Sequence, residues 1–373
     1  MPSAVIAGAG IFGASLGHRL ALAGWEVTIV DPYTPGHARA ASGHESRLIR
    51  FAHGSDRWYV RSARRARDLW RELEEETGKR LLIESGIAWF ARRDDGWETQ
   101  SEEALRAEDV PVARLGLDEA AALFPSFNGE GLSFVLYEPE GGILRARDAL
   151  LATIDVAVAA GARLVAGAAR PEGEAVLVGG ERLEADRIVW ACGAWLPALF
   201  PGLLGLRVTK QDVFHFGAEV AWSCPPVPGW VEYDAAVYGT GDVDGLGVKV
   251  APDREGSPFD PDGDERIPSP ENEQAARSYI SLRFPGLAGA PLVGARTCPY
   301  SLTLDTNFVI ARHPEHERVW LLGGGSGHGF KHGPALGEYM AGLLAGNTAP
   351  DARFALGERR PGTGLRTAGG AAQ

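Results

Sequence analysis

Cysteine, positive charge and long apolar runs are scarce in this sequence. Three cysteines in 373 residues make neither a disulfide framework nor a metal-ligand spacing, which predicts a cytoplasmic protein without a metal site. No apolar run approaches the roughly 18 residues of a membrane span, and the first residues lead into a predicted strand rather than a signal peptide. The formal net charge of −12, with no basic stripe, argues against a nucleic-acid partner.

Glycine, by contrast, is abundant, and it forms two glycine-rich loops, the first of which follows a short apolar strand near the N-terminus. In this loop Gly8 allows a tight turn, Gly10 lets the backbone approach a pyrophosphate, and Gly13 lets a helix pack on the strand. The helix that follows offers N–H groups and a partial positive charge to the phosphates. Two apolar residues of the loop complete the predicted cofactor contacts: Ile11 and Phe12.

An acid and the second glycine loop extend this predicted site. Asp31 ends the second predicted strand about 20 residues after the glycines, where the dinucleotide fingerprint has its ribose ligand. The second loop, residues 323–331, reads GGGSGHGFK and precedes helix-forming sequence near the C-terminus. Chains whose far end returns to the same cofactor usually bind FAD rather than a nicotinamide. We therefore predict an FAD site built from both ends of the chain.

The predicted elements indicate an α/β protein in which a Rossmann-type FAD-binding domain is interleaved with a mixed β-sheet substrate domain. The FAD-binding domain is expected to comprise residues 1–80, 146–205 and 296–357. The substrate domain is expected to comprise residues 81–145 and 206–295, with the active site where the two domains meet. Residues 358–373, rich in Gly, Ala, Thr and Arg, are expected to form a flexible tail.

Six segments, in order, resemble the monomeric sarcosine oxidase family of flavin-dependent amine oxidases, which includes N-methyltryptophan oxidase. They are GAGIFGASLG, SRLIRFAHG, ACGAW, GLGVK, TCPYSLTLD and GGSGHGFKHG. The resemblance covers nearly the whole chain and implies a monomer with one FAD. It implies hydride transfer from a secondary (N-methyl or cyclic) amino acid or related amine to the flavin, giving an imine. Re-oxidation by O2 would then give hydrogen peroxide.

Cys298 occupies the position of the cysteine that the family links covalently to the flavin. A thioether would raise the flavin's potential, and its formation calls for a lowered thiol pKa near a positive group. Pro299 departs from other members, and Tyr300 matches a family residue expected to border the substrate. Without the resemblance, a single cysteine is more often a small buried hydrophobe.

Arg50 and Lys331 match the family's carboxylate-binding pair. Arginine presents a planar fork to a carboxylate and lysine adds a point charge. The alternatives are a surface salt bridge and a helix-start lysine in water, but a lysine there opposes the helix dipole unless an anion is bound. His53 stands where a family member can have a tyrosine, and we assign it to the substrate pocket.

Lys249 matches the lysine that activates oxygen in the family. A fixed positive charge in a low-dielectric pocket stabilises superoxide, although an exposed strand lysine is the ordinary alternative. Arg47 and Tyr238 match a flavin-side arginine and a pocket tyrosine, and we group them with Lys249 as catalytic. Asp253 replaces the histidine that sarcosine oxidases carry four residues after the lysine. It is expected either to pair with Lys249 or to attract a cationic substrate group.

The remaining predicted flavin contacts lie in the segment after the second strand and in the second glycine loop. His328 resembles a catalytic base, but its loop is expected to aim backbone N–H groups at the flavin, which makes it a structural residue. These further contacts are Ser42, Ser46, Arg47, Gly325, Gly327, His328, Gly329, Phe330 and Lys331.

Three other functions remain open from the sequence. The first is a flavin-dependent amino-acid dehydrogenase that uses a non-oxygen electron acceptor, against which Lys249 argues. The second is an NAD-binding dehydrogenase, which the second glycine loop and Cys298 disfavour. The third is a non-enzymatic flavoprotein, which would not need the cations Arg50, Lys249 and Lys331.

Overall fold

The computed structural model describes residues 1–361, so residues 362–373 of the predicted tail lie outside the described residues. The strands in this part of the chain are β1 (Ser3–Ala7), β2 (Glu26–Asp31), β3 (Ser46–Ile49), β4 (Leu82–Ile83), β5 (Ile87–Ala91), β6 (Ala113–Leu115), β7 (Phe134–Glu138), β8 (Gly142–Arg145), β9 (Arg163–Ala166), β10 (Ala169–Glu172), β11 (Ala175–Val178), β12 (Glu181–Leu183), β13 (Arg187–Trp190), β14 (Arg207–Phe216), β15 (Gly229–Glu232), β16 (Val237–Asp242), β17 (Val248–Pro252), β18 (Leu292–Leu302), β19 (Val309–Arg312) and β20 (Val319–Gly323). The α-helices are α1 (Ile11–Leu22), α2 (Arg57–Thr77), α3 (Trp97–Ala107), α4 (Leu117–Ala121), α5 (Ala146–Ala159), α6 (Leu196–Leu199), α7 (Pro270–Arg283) and α8 (Gly333–Leu344).

A six-stranded sheet in the order β19-β20-β13-β1-β2-β9 contains the first predicted strands. Its neighbouring strands are parallel except for the antiparallel pair β19 and β20. Ile6 on one face packs with the helices α1, α5 and α8, and Val5 on the other face packs with β11 and α6. Because both faces are covered, the central strands β1, β2 and β13 are largely apolar, which is the pattern of a buried parallel sheet.

A second sheet of eight strands has the order β18-β14-β17-β16-β15-β5-β7-β6 and is antiparallel apart from the pair β15 and β5. Aromatic side chains fill one of its faces: the rings of Trp230 and Phe284 meet edge to face at 4.8 Å, and Phe214 is fully buried beside them. Such edge-to-face contacts favour a fixed arrangement of the buried rings. The second sheet is therefore rigid, and it borders the space between the two sheets.

Helix α7 lies within residues 206–295, which the sequence assigned to the mixed β-sheet domain. The Oγ atom of Ser269 accepts a hydrogen bond from the Asn272 N–H at 3.0 Å, and Pro270 occupies the first helical position, so both residues favour a helix start. Few of its residues are buried, among them Ile280, so its apolar periodicity is weak. For that reason the sequence pattern did not indicate this helix.

The parallel sheet with its helices and the mixed second sheet confirm the predicted α/β fold class. The division into two domains remains a prediction, and β18 of the second sheet crosses the predicted boundary between residues 295 and 296. A small sheet in the order β3-β8-β4 contains the segment that leads to Arg50.

Candidate active site

A cavity of about 460 Å³ lies between the carboxyl ends of the parallel strands and the second sheet. Gly8 after β1, Asp31 at the end of β2 and Gly323 at the end of β20 line one side, and Tyr238 and Tyr300 of the second sheet line the other. The carboxyl edge of a parallel sheet is where α/β proteins bind their ligands. Both predicted glycine loops thus border one cavity.

Two glycines of the first glycine loop have no room for a side chain. Gly8 has φ +107°, and a Cβ atom there would lie 2.5 Å from the carbonyl oxygen of Ala191. A Cβ atom on Gly13 would lie 2.0 Å from the carbonyl oxygen of Gly8, so this glycine serves helix–strand packing and does not line the cavity. Gly10, Ile11 and Phe12 do line the cavity, as expected for a loop that a ligand approaches closely.

Asp31 and Ser42 hold the first loop in place. The Asp31 carboxylate accepts hydrogen bonds from the backbone N–H groups of Ala9 (2.8 Å) and Tyr33 (2.9 Å). The Ser42 hydroxyl oxygen accepts one from the N–H of Ile11 at 3.1 Å. Both residues also line the cavity, so a ribose hydroxyl could share the Asp31 carboxylate with the backbone.

The second glycine loop approaches the same cavity under similar steric constraints. Gly327 has φ +70°, and a Cβ atom there would lie 2.3 Å from the Tyr300 ring. A Cβ atom on Gly329 would lie 2.7 Å from the ring of Phe12, so the two loops are in contact. Buried His328 has its Nε2 atom 2.9 Å from the carbonyl oxygen of Thr306. The predicted residues of this loop that line the cavity are Gly325, Gly327, His328, Gly329, Phe330 and Lys331.

Arg47 lines the same cavity as Asp31 and lies beside Cys298, with 3.9 Å between its Nη2 atom and the thiol sulfur. Its guanidinium donates to the carbonyl oxygens of Ser46, Ala41 and Gly43. Burial nevertheless raises the pKa of the Cys298 thiol, although the Arg47 charge opposes that shift. The lowered thiol pKa expected from the sequence is therefore wrong for the protein alone, because burial outweighs the nearby charge.

Arg50 and Lys331 are both buried, and both line the cavity. The Arg50 guanidinium lies over the Trp89 ring at 5.0 Å and donates to the carbonyl oxygen of Ala52. The Lys331 ammonium donates to the carbonyl oxygen of His328 at 3.0 Å. Two buried cations on the wall of one cavity would attract an anionic ligand, which supports the carboxylate clamp predicted from the resemblance.

Glu138 supports the clamp, and sequence reasoning missed it. Its fully buried carboxylate accepts hydrogen bonds from the N–H groups of Phe51 (2.6 Å) and Ala52 (3.2 Å) and from the Trp89 indole (2.5 Å). Burial raises the pKa of Glu138, and these donors and the Arg50 charge act in the opposite direction. Glu138 thus fixes both the backbone after Arg50 and the ring beneath its guanidinium.

Lys249 is buried beside a second, smaller cavity of about 20 Å³, which Tyr238, Cys298 and Tyr300 also line. Its ammonium donates to the carbonyl oxygen of Ser46 at 2.9 Å, and it lies 5.5 Å from the centre of the Tyr238 ring. Burial, and secondly the Arg47 charge, lower the pKa of Lys249 to about 7. A space of this size holds one water-sized molecule.

Three predicted residues take positions that differ from the simplest expectation. Ser46 does not line the large cavity and instead accepts hydrogen bonds from Lys249. His53 does not line it either, because its ring is buried against Tyr59 with 5.3 Å between ring centres. Asp253 does line the cavity, whereas Lys249 directs its hydrogen bonds to Ser46.

The residues around the large cavity suit FAD. Two glycine-rich loops allow close approach of a ligand, and Asp31, Arg47 and Cys298 line the same cavity. Residues 3–343 match the sequence model described as FAD dependent oxidoreductase. The chain belongs to this family.

Members of the family with a similar sequence include monomeric sarcosine oxidases. The one from Bacillus sp. (strain B-0618) is 30% identical and the one from Streptomyces avermitilis is 32% identical; the alignments cover 93% and 92% of this chain and 93% and 94% of those proteins. The N-methyl-L-tryptophan oxidase of Salmonella arizonae is 26% identical, with 90% of this chain and 93% of that protein covered. The chain is therefore a flavin-dependent oxidoreductase acting on C–N bonds, and FAD is its cofactor.

Solved structures share the fold of this family member. L-proline dehydrogenase from P. horikoshii superposes with a TM-score of 0.84 at 22% identity, covering 93% of this chain and 94% of that chain. Amadoriase I, a fructosyl amine:oxygen oxidoreductase from Aspergillus fumigatus, superposes with a TM-score of 0.79 at 21% identity, covering 95% and 89%. Within residues 1–361, none of the helices combines the length and apolar character needed to cross a membrane.

Proposed function

We propose that this protein is a monomeric oxidase of a secondary (N-methyl or cyclic) amino acid or a related amine. Substrate oxidation by hydride transfer gives an imine, and O2 is reduced to hydrogen peroxide. The observation that carries the proposal is the pair of buried cations, Arg50 and Lys331, on the wall of the cavity that both glycine loops border. The similarity to sarcosine and N-methyl-L-tryptophan oxidases supports the same substrate class.

Arg50 and Lys331 bind and orient the substrate in this proposal. The guanidinium, held against Trp89, offers its fork to the carboxylate, and the Lys331 ammonium contributes a second charge. Glu138 keeps the Arg50 segment in place, so little reorganisation is needed when the substrate binds. The positive clamp also disfavours protonation of a nearby amine, and only the free base has the lone pair that assists oxidation.

FAD, when bound, supplies the two-electron chemistry, which no side chain of the protein can perform. The first glycine loop, Asp31 and Ser42 would hold its dinucleotide part, and the second glycine loop and Arg47 would contact its ring. We also propose that Cys298, which lines the cavity beside Arg47, is its covalent attachment point. Flavin that stays with the unfolded wild-type chain, and is released from unfolded Cys298→Ser, would support the linkage.

Lys249 has a separate role in this proposal, in the reaction of the reduced enzyme with O2. Its ammonium borders the small cavity together with Tyr238, and a positive charge there stabilises reduced oxygen species. The alternative is a dehydrogenase that passes electrons to an acceptor other than oxygen. Measuring oxygen consumption and peroxide release with the reducing substrate decides between these two functions.

The test is an anaerobic titration of the purified holoenzyme, followed through its visible spectrum. N-methyl and cyclic amino acids should bleach the flavin band, whereas the matching amines without a carboxylate should do so only at much higher concentration. Equal potency of acid and amine would contradict the clamp. An unchanged band with every secondary amino acid would overturn the proposed substrate class.

A further inference from the structure

Three buried histidines meet behind the clamp, and we call them the three-histidine cluster: His53, His328 and His332. One ring nitrogen of each lies within 4.8 Å of the corresponding nitrogens of the other two. The ring centres are 5.3 Å apart for His53 and His332 and 5.8 Å apart for the two pairs with His328. The cluster joins the segment between β3 and α2 to the loop after β20 and the start of α8.

One ring nitrogen of each histidine has a hydrogen-bond partner outside the cluster, and these contacts indicate which nitrogens carry protons. His53 Nδ1 lies 2.8 Å from the carbonyl oxygen of Phe51, and His328 Nε2 lies 2.9 Å from that of Thr306. A carbonyl oxygen only accepts, so these nitrogens donate, and in the neutral rings the lone pairs are on His53 Nε2 and His328 Nδ1. His332 Nδ1 lies 3.0 Å from the hydroxyl oxygen of Ser62, which permits the same arrangement.

Two of the inner nitrogens lack a hydrogen-bond partner in the part of the chain that the structure describes. Among residues 1–361, His53 Nε2 and His332 Nε2 have no hydrogen-bond partner, although both side chains are almost completely buried. An unsatisfied buried polar atom destabilises the folded state, so an occupant that accepts electron density from these nitrogens would stabilise the fold.

We propose that the three-histidine cluster binds a divalent first-row transition-metal ion such as Zn²⁺. Neutral imidazoles select zinc, copper, nickel or cobalt rather than magnesium or calcium. A ligating histidine usually donates its other ring N–H to a carbonyl or a similar acceptor, as His53 and His328 do here. Tetrahedral coordination has metal–nitrogen distances near 2.0–2.1 Å, which places the nitrogens about 3.4 Å from one another. They now lie within 4.8 Å of one another, so small ring movements would complete the site.

The charges around the cluster set a condition on binding. Arg50 and Lys331 are close enough to act on His53 and His332, and they would repel a divalent cation. The buried Glu138 carboxylate acts on Arg50 and offsets part of that charge. A carboxylate held by the clamp would offset more. Metal affinity should therefore rise when a carboxylate ligand is bound, an expectation that rests on the proposed function.

The ion would connect the two segments that carry the clamp. Arg50 lies three residues before His53, and Lys331 lies between His328 and His332. The role of the metal ion would therefore be structural, because it would hold Arg50 and Lys331 at a fixed separation. Spacing in the sequence did not indicate the cluster, because His53 is far from the other two ligands along the chain.

The experiment is to load the holoenzyme with Zn²⁺, remove unbound metal by gel filtration and measure the zinc content by mass spectrometry. The wild type should retain about one equivalent, and its melting temperature should increase with zinc. His53→Gln and His332→Gln should lose both effects. Co²⁺ in place of zinc should give d–d bands to the red of the flavin absorption in the wild type but not in the glutamine variants.

A matched control addresses adventitious binding at other imidazoles. His313 and His316 have their ring centres 4.6 Å apart in a different part of the chain, so His313→Ala/His316→Ala should keep the zinc and the cobalt bands. A wild type that retains no zinc above the level of the His53→Gln/His332→Gln double variant would overturn the site. If the glutamine variants do not fold, a wild type that retains no zinc overturns it equally well.

Metal binding and catalysis give independent readouts. Zinc retained by a protein that oxidises no amine would leave the metal site standing and contradict the proposed function. Zinc affinity unchanged by a saturating simple carboxylate would contradict the link between clamp and metal.

Discussion

The Lys249 ammonium donates a hydrogen bond to the carbonyl oxygen of Ser46 at 2.9 Å, and this contact joins the second sheet to the segment that carries Arg47 and Arg50. The amine is buried next to a cavity of about 20 Å³ rather than on the lining of the large one. Oxygen reduction and amine binding would therefore take place at different positions around the same cofactor. The two half-reactions should respond to different substitutions.

Lys249→Met should slow re-oxidation by oxygen far more than reduction by the substrate. Removing one preorganised charge from a buried site costs roughly 10²- to 10³-fold in rate. Stopped-flow measurements of each half-reaction check this, with Lys79→Met as an exposed-lysine control. Similar losses in both half-reactions would show that Lys249 supports the site as a whole and not oxygen chemistry.

The two half-reactions should also depend on pH in opposite directions. Burial lowers the pKa of Lys249 to about 7, so its ammonium is present below that pH and is lost above it. The charged fraction falls roughly tenfold per pH unit above the pKa, and the re-oxidation rate should fall with it. Substrate reduction should instead rise with pH, because the amine must be the free base. Re-oxidation in Lys249→Met should show no such decrease, and a decrease that persists would assign the titration to another group.

Arg50→Lys should weaken binding of amino acids while leaving amines without a carboxylate unaffected. Lysine keeps the charge but loses the planar fork and the contact with the Trp89 ring, so we expect a loss of about 10- to 100-fold in kcat/KM. Steady-state kinetics with each amino acid and its matching amine measure the difference, and the exposed Arg93→Lys is the control. Equal losses for acid and amine would show general damage instead of a lost carboxylate contact.

Local patterns in the sequence predicted the cofactor half of the site better than the substrate half. The glycines and Asp31 follow from constraints within about 30 residues, since strand, turn and helix are contiguous there. Trp89 and Glu138 meet because β5 and β7 pair antiparallel, and neither residue has a local pattern that distinguishes it from ordinary strand residues. The contact was therefore visible only once the sheet had been assembled.

The pKa of the Cys298 thiol is another property that the sequence pattern did not predict. Its neighbours Arg47 and Lys249 lower the thiol pKa, as expected from positive groups, but complete burial raises it by more. Burial is a property of the tertiary structure, and the motif around the cysteine does not encode it. Similarly, the resemblance assigned His53 to the substrate pocket, whereas its ring is buried against Tyr59 and does not line the large cavity.

Gly327→Ala should reduce flavin binding, because the second glycine loop leaves no space for a methyl group. A Cβ atom there would lie 2.3 Å from the Tyr300 ring, so either the loop or the ring must move within the cavity lining. Gly289→Ala is the matched control: Gly289 also has a positive φ (+83°), but a Cβ atom there meets nothing within 4 Å. Both substitutions carry a similar backbone cost of about 1–2 kcal/mol, so thermal unfolding should change in both. Only Gly327→Ala should lower the flavin absorbance per mole of purified protein, and an equal flavin content in the two variants would contradict close contact between this loop and the cofactor.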